Sequence, residues 1–323
     1  MNRTGLALVG LGKIARDQHL PSLANSNAFT LVATVSPAER LPDVPAYTDL
    51  DAALDAHPRI RAVALCTPPA VRSDLARRAL LRGCHVLLEK PPCVVPHELD
   101  GLREFARRQS VSLFAAWHSR FAAAVASVRD TLRTQQVLGV RVNWKEDHRV
   151  WHPGQEWLWR DGGFGVLDPG INALSILTHI LPAPLTFVQA ELDCPQDSRM
   201  PAAARISLVS DTAPVELALD FLHASAPCWD IVIDTREARL ALSHGGACLS
   251  IDGVPCPVPE QREYAALYTE FARLIRAEEQ DVDGTPLAIA SAALQLGRRR
   301  TLETRVLDAG SQPATVRPDS LVV

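Results

Sequence analysis

The first third of the chain alternates short apolar runs with longer segments of mixed character. The apolar runs have the length of strands and lie at about 5–9, 29–35, 61–66, 84–88 and 111–116. Helix-like segments lie between them, near 13–25, 49–56, 70–82 and 97–109. Strands that alternate with helices form βαβ units, and strands apolar on both faces need helices on both sides of their sheet. Residues 1–119 are therefore predicted to form a doubly wound parallel sheet.

The pattern changes after about residue 120. A helix at 121–134, a strand at 138–147, a loop rich in Trp, Gly and Pro at 148–165 and a helix at 166–180 come first. Strand-like runs then follow one another closely, at about 185–193, 203–210, 214–223, 229–235, 238–243 and 247–251. Such close spacing favours antiparallel pairing. With helices at about 259–278 and 286–306, residues 120–310 are predicted to form a second α/β domain, and 311–323 a tail.

Composition fits this two-domain organisation. The 323 residues are 47% apolar and 22% charged, which excludes a disordered or fibrous chain. A net charge of −4 lacks the basic footprint of nucleic-acid binding, and no apolar run is long enough for a membrane span. The seven cysteines include no CxxC pair, so reduced thiols and a cytoplasmic location are expected. The N-terminal apolar run is interpreted as the first strand rather than a signal peptide.

A glycine motif follows the first predicted strand. It reads Gly10-Leu11-Gly12-Lys13-Ile14-Ala15, which is G-x-G-x-x-A before a helix. In a dinucleotide-binding Rossmann domain, the first glycine permits the tight turn and the second lets the backbone approach the pyrophosphate. The third small residue allows helix and strand to pack closely, and the helix N-terminus favours the anion. The motif at this place predicts a nicotinamide dinucleotide cofactor.

The second predicted strand ends at Ser36, where NAD-specific domains carry an acidic residue for the ribose hydroxyls. Ser36 can donate to a 2′-phosphate without repelling it, and Arg40 follows closely. The sequence therefore favours NADP, with NAD also accepted. Ser36-Pro37 is equally consistent with the start of an ordinary turn.

Two further segments carry a resemblance to a known family. Cys66-Thr67-Pro68-Pro69 follows the third predicted strand, and Glu89-Lys90-Pro91-Pro92 follows the fourth. With the glycine motif, the chain resembles the glucose–fructose oxidoreductase, inositol dehydrogenase and rhizopine-catabolism family (Gfo/Idh/MocA). The resemblance implies a Rossmann domain, a second domain on a large open sheet, and oxidation of sugars or polyols. The expected cofactor-binding residues are Gly10, Gly12, Lys13, Ile14, Ser36, Cys66, Thr67, Pro68, Glu89 and Lys90.

The family's usual catalytic motif is changed in this chain. Family members with Asp-x-x-x-His use the His as acid/base, assisted by the Lys of Glu-Lys-Pro, whereas this chain has Asp168 and Asn172. An amide cannot take up a proton at neutral pH. The resemblance together with this departure makes Asp168 the nearest titratable candidate, with Lys90 assisting and Asn172 orienting the substrate. Asp168 before Pro169 is also a common helix start, so a simple capping role remains open.

The stretch from Trp144 to Asn172 resembles a narrower group, the bacterial family members that oxidise L-arabinose or D-galactose at C1. That resemblance implies an aldonolactone product. It also implies sugar contacts from Lys90, His118, Glu146, Trp151, His152, Asp168, Asn172 and Trp229. No arginine cluster lies among them, which disfavours a phosphorylated or acidic sugar.

Several alternatives remain open at this point. Lys90 is also consistent with a solvated surface residue, His118 with a buried hydrogen-bonded histidine, and the tryptophans with core packing. Glu146, His148 and His152 have a spacing reminiscent of metal ligands, but a loop signature at His152-Pro153-Gly154 disfavours a metal.

Two other functions share these features: oxidation of a sugar or inositol at another carbon, and a non-enzymatic regulator that binds NAD(P) and a partner protein. An open sheet needs cover for its outer face, so a homodimer through that sheet is expected.

Overall fold

The computed structural model describes residues 3–260 and 262–307. Two units are distinguished: Met1–His118 with Glu263–Leu287, and Ser119–Arg262 with Ala288–Val323. The chain thus leaves the first unit, builds most of the second, returns to the first at Glu263 and re-enters the second at Ala288. The tail predicted at 311–323 lies outside the described residues.

The strands divide between two sheets. Those of the first unit are β1 Thr4–Val9, β2 Phe29–Val35, β3 Ala46–Tyr47, β4 Ile60–Leu65, β5 His85–Glu89 and β6 Leu113–Ala116. Those of the second are β7 Val137–Lys145, β8 Leu185–Pro195, β9 Ala203–Ser210, β10 Ala213–Asp220, β11 Cys228–Thr235, β12 Arg239–Ser243, β13 Cys248–Ile251, β14 Val254–Cys256 and β15 Arg298–Leu302.

The helices belong to the same two units, except that the last one begins in the first unit and continues into the second. In chain order they are α1 Leu20–Ala24, α2 Leu50–Ala56, α3 Pro69–Leu81, α4 Pro96–Arg108, α5 Val125–Leu132, α6 His148–Trp151, α7 Leu167–Ile180, α8 Glu263–Ala277 and α9 Thr285–Leu296. A π-helical segment, Ala15–His19, leads into α1. Single turns of 3₁₀ helix occupy His118–Phe121, Glu156–Trp159 and His244–Gly246.

The first sheet is parallel throughout, in the order β3-β2-β1-β4-β5-β6. Its central strands are buried on both faces, as the apolar run at Leu6–Val9 shows. Helix α8 packs into this unit: Tyr268 and Phe271 contact Phe29, with ring centroids 5.6 and 5.4 Å apart. The doubly wound parallel sheet predicted from the sequence is confirmed. The first unit also contains residues 263–287, which the sequence prediction placed in the second domain.

The second sheet has nine strands, in the order β14-β13-β12-β11-β7-β10-β9-β8-β15. Residues alternate between a buried and an exposed face, and the buried face includes Val142 and Val215. Helix α7 packs very closely on this sheet, because a Cβ on Gly170 would lie 2.5 Å from Leu219 Cδ1. The predicted α/β domain on a large, mostly antiparallel sheet is confirmed.

Within the mostly antiparallel sheet, strands β7 and β10 pair in parallel, because the chain passes through α7, β8 and β9 before β10 returns beside β7. Two details of the sequence prediction are corrected. The helix predicted at 286–306 ends at Leu296, and Arg298–Leu302 then pairs in parallel with β8. Arginine is a good helix former, but pairing at the sheet edge overrides that preference. The loop predicted at 148–165 contains α6 and a 3₁₀ turn.

None of the helices within 3–260 and 262–307 is both long enough and apolar enough to cross a membrane.

Candidate active site

The glycine loop after β1 is closely packed on one side and open on the other. Gly10 has φ +89°, and a Cβ there would lie 2.9 Å from the backbone of Cys66 and Thr67. A Cβ on Gly12 would meet nothing within 4 Å, so its backbone faces open space. The buried Thr67 Oγ1 has no hydrogen-bond partner within the described part of the chain. An open backbone before a helical segment and an orphaned hydroxyl fit the pyrophosphate and ribose of a dinucleotide.

The predicted ribose site at the end of β2 forms a turn. The Ser36 Oγ, which is buried, accepts a hydrogen bond from the Glu39 N–H at 3.3 Å. Arg40 donates to the carbonyl oxygens of Ser36 and Glu39, at 2.9 and 2.8 Å. Arg16 forms an ion pair with Glu39 at the surface. Ser36 and Pro37 therefore begin a turn, and the guanidinium groups of Arg16 and Arg40 and the carboxylate of Glu39 lie beside it.

A buried arginine holds the loop that carries Lys90. The guanidinium of Arg72, on α3, donates to the carbonyl oxygens of Thr67, Glu89 and Pro91. Arg72 is 3% exposed, and the Lys90–Pro91 peptide is cis. One side chain thus joins the loop after β4 to the loop after β5. Sequence reasoning missed Arg72, because an arginine in a mixed helix gives no sign of burial.

The Glu89 carboxylate lies inside the first unit. It accepts hydrogen bonds from His19 Nε2 at 3.0 Å, Tyr264 Oη at 2.7 Å and the Lys90 N–H at 2.8 Å. Burial opposes ionisation, but the hydrogen bond and charge of His19 outweigh it and lower the pKa of Glu89 to about 2. The carboxylate is therefore ionised at neutral pH.

His118 follows β6, the neighbour of β5, so it lies at the same edge of the sheet as Lys90. Its Nδ1 hydrogen-bonds Glu263 Oε2 at 2.6 Å. Its ring stacks on Tyr264, with centroids 5.2 Å apart and planes 23° apart. A donor Nδ1–H to this carboxylate leaves Nε2 as the acceptor nitrogen. Glu263 and Tyr264 were not among the sequence-predicted site residues.

In the second unit, Glu146 is the centre of a separate cluster. It follows β7, and its carboxylate accepts from Trp229 Nε1 at 2.6 Å and pairs with His152 Nε2 at 2.9 Å. The residue is 4% exposed. Asp147 begins α6 by accepting a hydrogen bond from the Arg149 N–H at 2.9 Å. This single helical turn brings His152 back over Glu146.

Aromatic rings surround the Glu146 carboxylate. Trp229 on β11 lies opposite Trp144 on β7, and Trp151 contacts Trp229 edge-on with centroids 4.8 Å apart. Phe221 lies 5.1 Å from the ring of His152. Trp151 and Trp229 are half-buried, whereas Trp144 is buried. The core-packing alternative therefore holds for Trp144, and two tryptophans retain exposed surface beside a carboxylate.

His152 has one unused nitrogen. Its Nδ1 is buried and has no hydrogen-bond partner in residues 3–260 and 262–307. If Nε2–H donates to Glu146, Nδ1 presents a lone pair. A buried polar atom without a partner is costly, so this nitrogen is suited to a ligand hydroxyl.

Asp168 and Asn172 lie one turn apart on α7. Asp168 is the second residue of the helix and 3% exposed, while Asn172 is half-buried. The N-cap is Val166, so Asp168 does not have the N-cap role that the sequence left open. Gly170 packs on Leu219 of β10, and β10 also supplies the Asp220 carbonyl that accepts the Glu146 N–H at 2.8 Å. The start of α7 thus lies at the end of the sheet that carries Glu146.

No group of three or more His, Cys, Asp or Glu side chains suited to a metal ion occurs among the described residues. Glu146 and His152, two of the residues whose spacing resembles that of metal ligands, form a hydrogen bond with each other.

Comparison with known proteins supports this picture. Residues 4–116 match the model of the GFO_IDH_MocA oxidoreductase family with an NAD-binding Rossmann fold. The chain is 42% identical over 299 residues to a galactose 1-dehydrogenase of Pseudomonas fluorescens, covering 92% of this chain and 97% of the relative. The chain belongs to the Gfo/Idh/MocA oxidoreductase family. The resemblance predicted from the Gly, Thr-Pro and Glu-Lys-Pro segments is thereby confirmed.

Solved structures with a similar fold extend the comparison. A D-galactose-1-dehydrogenase from Rhizobium etli has a TM-score of 0.89 at 46% identity, covering 94% of this chain and 97% of that one. The 3-ketoreductase KijD10 of Actinomadura kijaniata, solved with NADP, has a TM-score of 0.80 at 19% identity, covering 93% and 100%. At that identity KijD10 shows the fold alone. As a family member, this protein is an oxidoreductase with an NAD(P)-binding Rossmann domain.

Proposed function

We propose that this protein is an NAD(P)-dependent aldose 1-dehydrogenase that oxidises a neutral sugar, D-galactose and/or L-arabinose, to the aldonolactone. The observation that carries the proposal is the Glu146 cluster, a buried carboxylate beside two half-exposed tryptophans. Carboxylates and histidines bind hydroxyl groups, and indole faces cover the C–H surface of a sugar ring. Near full-length similarity to two galactose 1-dehydrogenases supports the same substrate class.

In this proposal, Glu146 and His152 bind the hydroxyls far from C1. The buried His152 Nδ1, which has no hydrogen-bond partner among the described residues, gains one from the sugar, and Trp151 and Trp229 pack on the ring. L-Arabinose and D-galactose share the configuration at C2 to C4, so one pocket of this kind accepts both.

The reaction removes a proton from the C1 hydroxyl and a hydride from C1, which leaves a C1 carbonyl in the lactone. When bound, the nicotinamide cofactor accepts the hydride. We propose that Asp168 takes the proton, since residue 172 is an amide and cannot. Lys90 donates a hydrogen bond to the C1 or ring oxygen and stabilises the charge that develops there. Asn172 orients the C1 hydroxyl, and His118 contacts the sugar.

For the cofactor, we propose that NADP is used at least as well as NAD. The support is the absence of a carboxylate at residue 36 and the presence of Arg16 and Arg40 around that turn. Gly12 and Thr67 would hold the pyrophosphate and ribose, and Ser36 the adenosine ribose. The ion pair of Glu39 with Arg16 tempers the positive charge, which is consistent with acceptance of both cofactors.

Two further parts of the proposal concern assembly and location. The exposed face of the second sheet carries charged and small residues, including Arg141, Arg205 and Glu216, and we propose that a second copy covers it. All seven cysteines are free in the structure, and a cytoplasmic location remains our expectation.

The decisive experiment incubates the purified protein with NADP⁺ or NAD⁺ and D-galactose, L-arabinose or D-glucose, the C4 epimer of galactose. We expect reduction of the cofactor with the first two sugars, weaker reduction with D-glucose, and an aldonolactone product identified by NMR. A product oxidised at another carbon would favour the other sugar or inositol oxidoreductases. Cofactor binding without turnover of any sugar would favour the non-enzymatic regulator.

A further inference from the structure

A buried chain of polar side chains ends at the backbone of Lys90. Tyr268 Oη lies 2.8 Å from His19 Nδ1, and His19 Nε2 lies 3.0 Å from Glu89 Oε1. Tyr264 Oη donates to the same oxygen at 2.7 Å, while Glu89 Oε2 accepts the Lys90 N–H at 2.8 Å. Three elements distant in sequence therefore meet at one carboxylate.

Burying this series of polar side chains is costly unless every polar group has a hydrogen-bond partner. His19 is completely buried and Glu89 is 2% exposed. Burial opposes charge on His19, but the neighbouring Cys66, Tyr268 and Glu89 hold its pKa well above the ordinary value. An ion pair buried in this way is weak evidence for stability, because apolar residues of similar volume often do as well. A role in specifying local geometry is the alternative explanation, and it can be tested.

This series of polar side chains ends at the loop that carries Lys90. Glu89 holds the Lys90 N–H from one side, and Arg72 holds the carbonyls of Glu89 and Pro91 from the other. The rings of this series also belong to the core, since Tyr268 and Phe271 both pack on Phe29. A test of the polar contacts must therefore remove a hydroxyl and keep the ring.

We propose that His19 and Tyr264 are positioning residues for Lys90, acting through the Glu89 carboxylate. The catalytic role of Lys90 in this inference rests on the proposed function, whereas the hydrogen bonds that hold its loop are observed in the structure. Helix α8, which returns from the second unit, thus supplies part of the support for the catalytic lysine. Tyr268 supports His19 and acts one step further away.

The test compares Tyr264→Phe with Tyr268→Phe, a matched loss of one hydroxyl. For Tyr264→Phe we expect kcat to fall about tenfold, a ratio that corresponds to about 1.4 kcal/mol. The KM for the sugar and the Kd for NADPH, measured by fluorescence titration, should change less than about twofold. Tyr268→Phe should lower kcat by less than about threefold.

A second readout does not depend on turnover. The chain has three lysines, Lys13, Lys90 and Lys145, so labelling by an amine-reactive ester can be followed at each by mass spectrometry. We expect the labelling rate of half-buried Lys90, relative to exposed Lys13, to rise at least about threefold in Tyr264→Phe, because a loosened loop exposes the amine.

The two readouts together decide the proposal. A lower kcat with a higher Lys90 labelling ratio supports positioning, whereas a change in only one, or in neither, overturns it. If Tyr264→Phe does not fold, the same measurements on His19→Gln decide. If the wild-type protein oxidises no sugar, the proposed function fails, and the labelling ratio alone still tests whether Tyr264 positions Lys90.

Discussion

The two units hold their candidate site residues by different physical means. In the first unit, Lys90 is fixed through its backbone, by the buried charges of Glu89 and Arg72. In the second unit, the Glu146 carboxylate lies among indole and imidazole rings, and one ring nitrogen of His152 has no hydrogen-bond partner within the described part of the chain. The first arrangement suits a group that must stay in one position during chemistry. The second suits recognition of hydroxyl groups, so changes in the two units should affect different kinetic constants.

The largest effects are expected for the residues that act on C1. Lys90→Ala and Asp168→Asn should each lower kcat about a hundredfold or more, as is typical of acid–base groups. Asp168→Asn keeps the shape of the side chain and removes the base. Steady-state kinetics with D-galactose would measure this, with the Kd for NADPH as a control for folding. A near-normal kcat in Asp168→Asn would show that this carboxylate is not the base.

Intermediate effects are expected in the Glu146 cluster. Glu146→Gln should raise the KM for the sugar about ten- to a hundredfold, because hydrogen bonds to a charged group contribute about 1.5–3 kcal/mol. Trp151→Ala should also raise the KM, because it removes an indole surface that packs on the sugar. The Kd for NADPH should stay unchanged. Glu156→Gln is the matched control, since Glu156 lies in the same loop but is exposed and paired with Arg160. A weaker cofactor affinity with an unchanged KM for the sugar would contradict this assignment.

A smaller effect is expected at residue 36. Ser36→Asp should shift the ratio of kcat/KM values from NADP towards NAD by about tenfold or more, because it brings a carboxylate next to the 2′-phosphate. Ser36→Ala, which removes the hydroxyl without adding charge, should shift the ratio less. Equal ratios in the wild type and Ser36→Asp would mean that the ribose lies elsewhere.

The smallest effect concerns stability in acid. The pKa of Glu89 is lowered from 4.5 to about 2, so its contribution to stability is complete above about pH 4.5 and is lost as the pH falls towards 2. Denaturant unfolding between pH 6 and 3 should therefore depend less steeply on pH in Glu89→Gln. Hydrogen bonds from Arg107 and Arg108 lower the pKa of Glu104 as well, but this carboxylate is exposed, and solvent screening reduces the effect of such pairs. Glu104→Gln should therefore change the slope less than Glu89→Gln does; equal slopes in all three proteins would contradict the distinction.

The same contrast explains what the sequence could reveal. The glycine loop was predictable because backbone geometry demands glycine at Gly10, and the parallel strands because they are apolar on both faces. Glu146 was found only through family resemblance, since Trp229, its partner, lies 83 residues away. His19 was missed because Tyr268 is 249 residues distant along the chain. Partnerships of this kind depend on tertiary folding and leave no local periodicity.

Strand β15 shows the converse error. The sequence of Arg298–Leu302 continues a helical pattern locally. It forms a strand because it pairs with the edge of β8 that faces away from β9. Local preference amounts to a fraction of a kcal/mol per residue, which a row of backbone hydrogen bonds overcomes.

The return of α8 to the first unit has a consequence for how the protein is made. A nascent chain emerges from the ribosome N-terminus first, and its domains generally fold in that order. Here the rings of Tyr268 and Phe271 that cover Phe29 are synthesised only after the whole second sheet except β15. Until then, the apolar surface around Phe29 has no cover, and a chain truncated after residue 118 should aggregate. The part of the protein that leaves the ribosome first is therefore completed late.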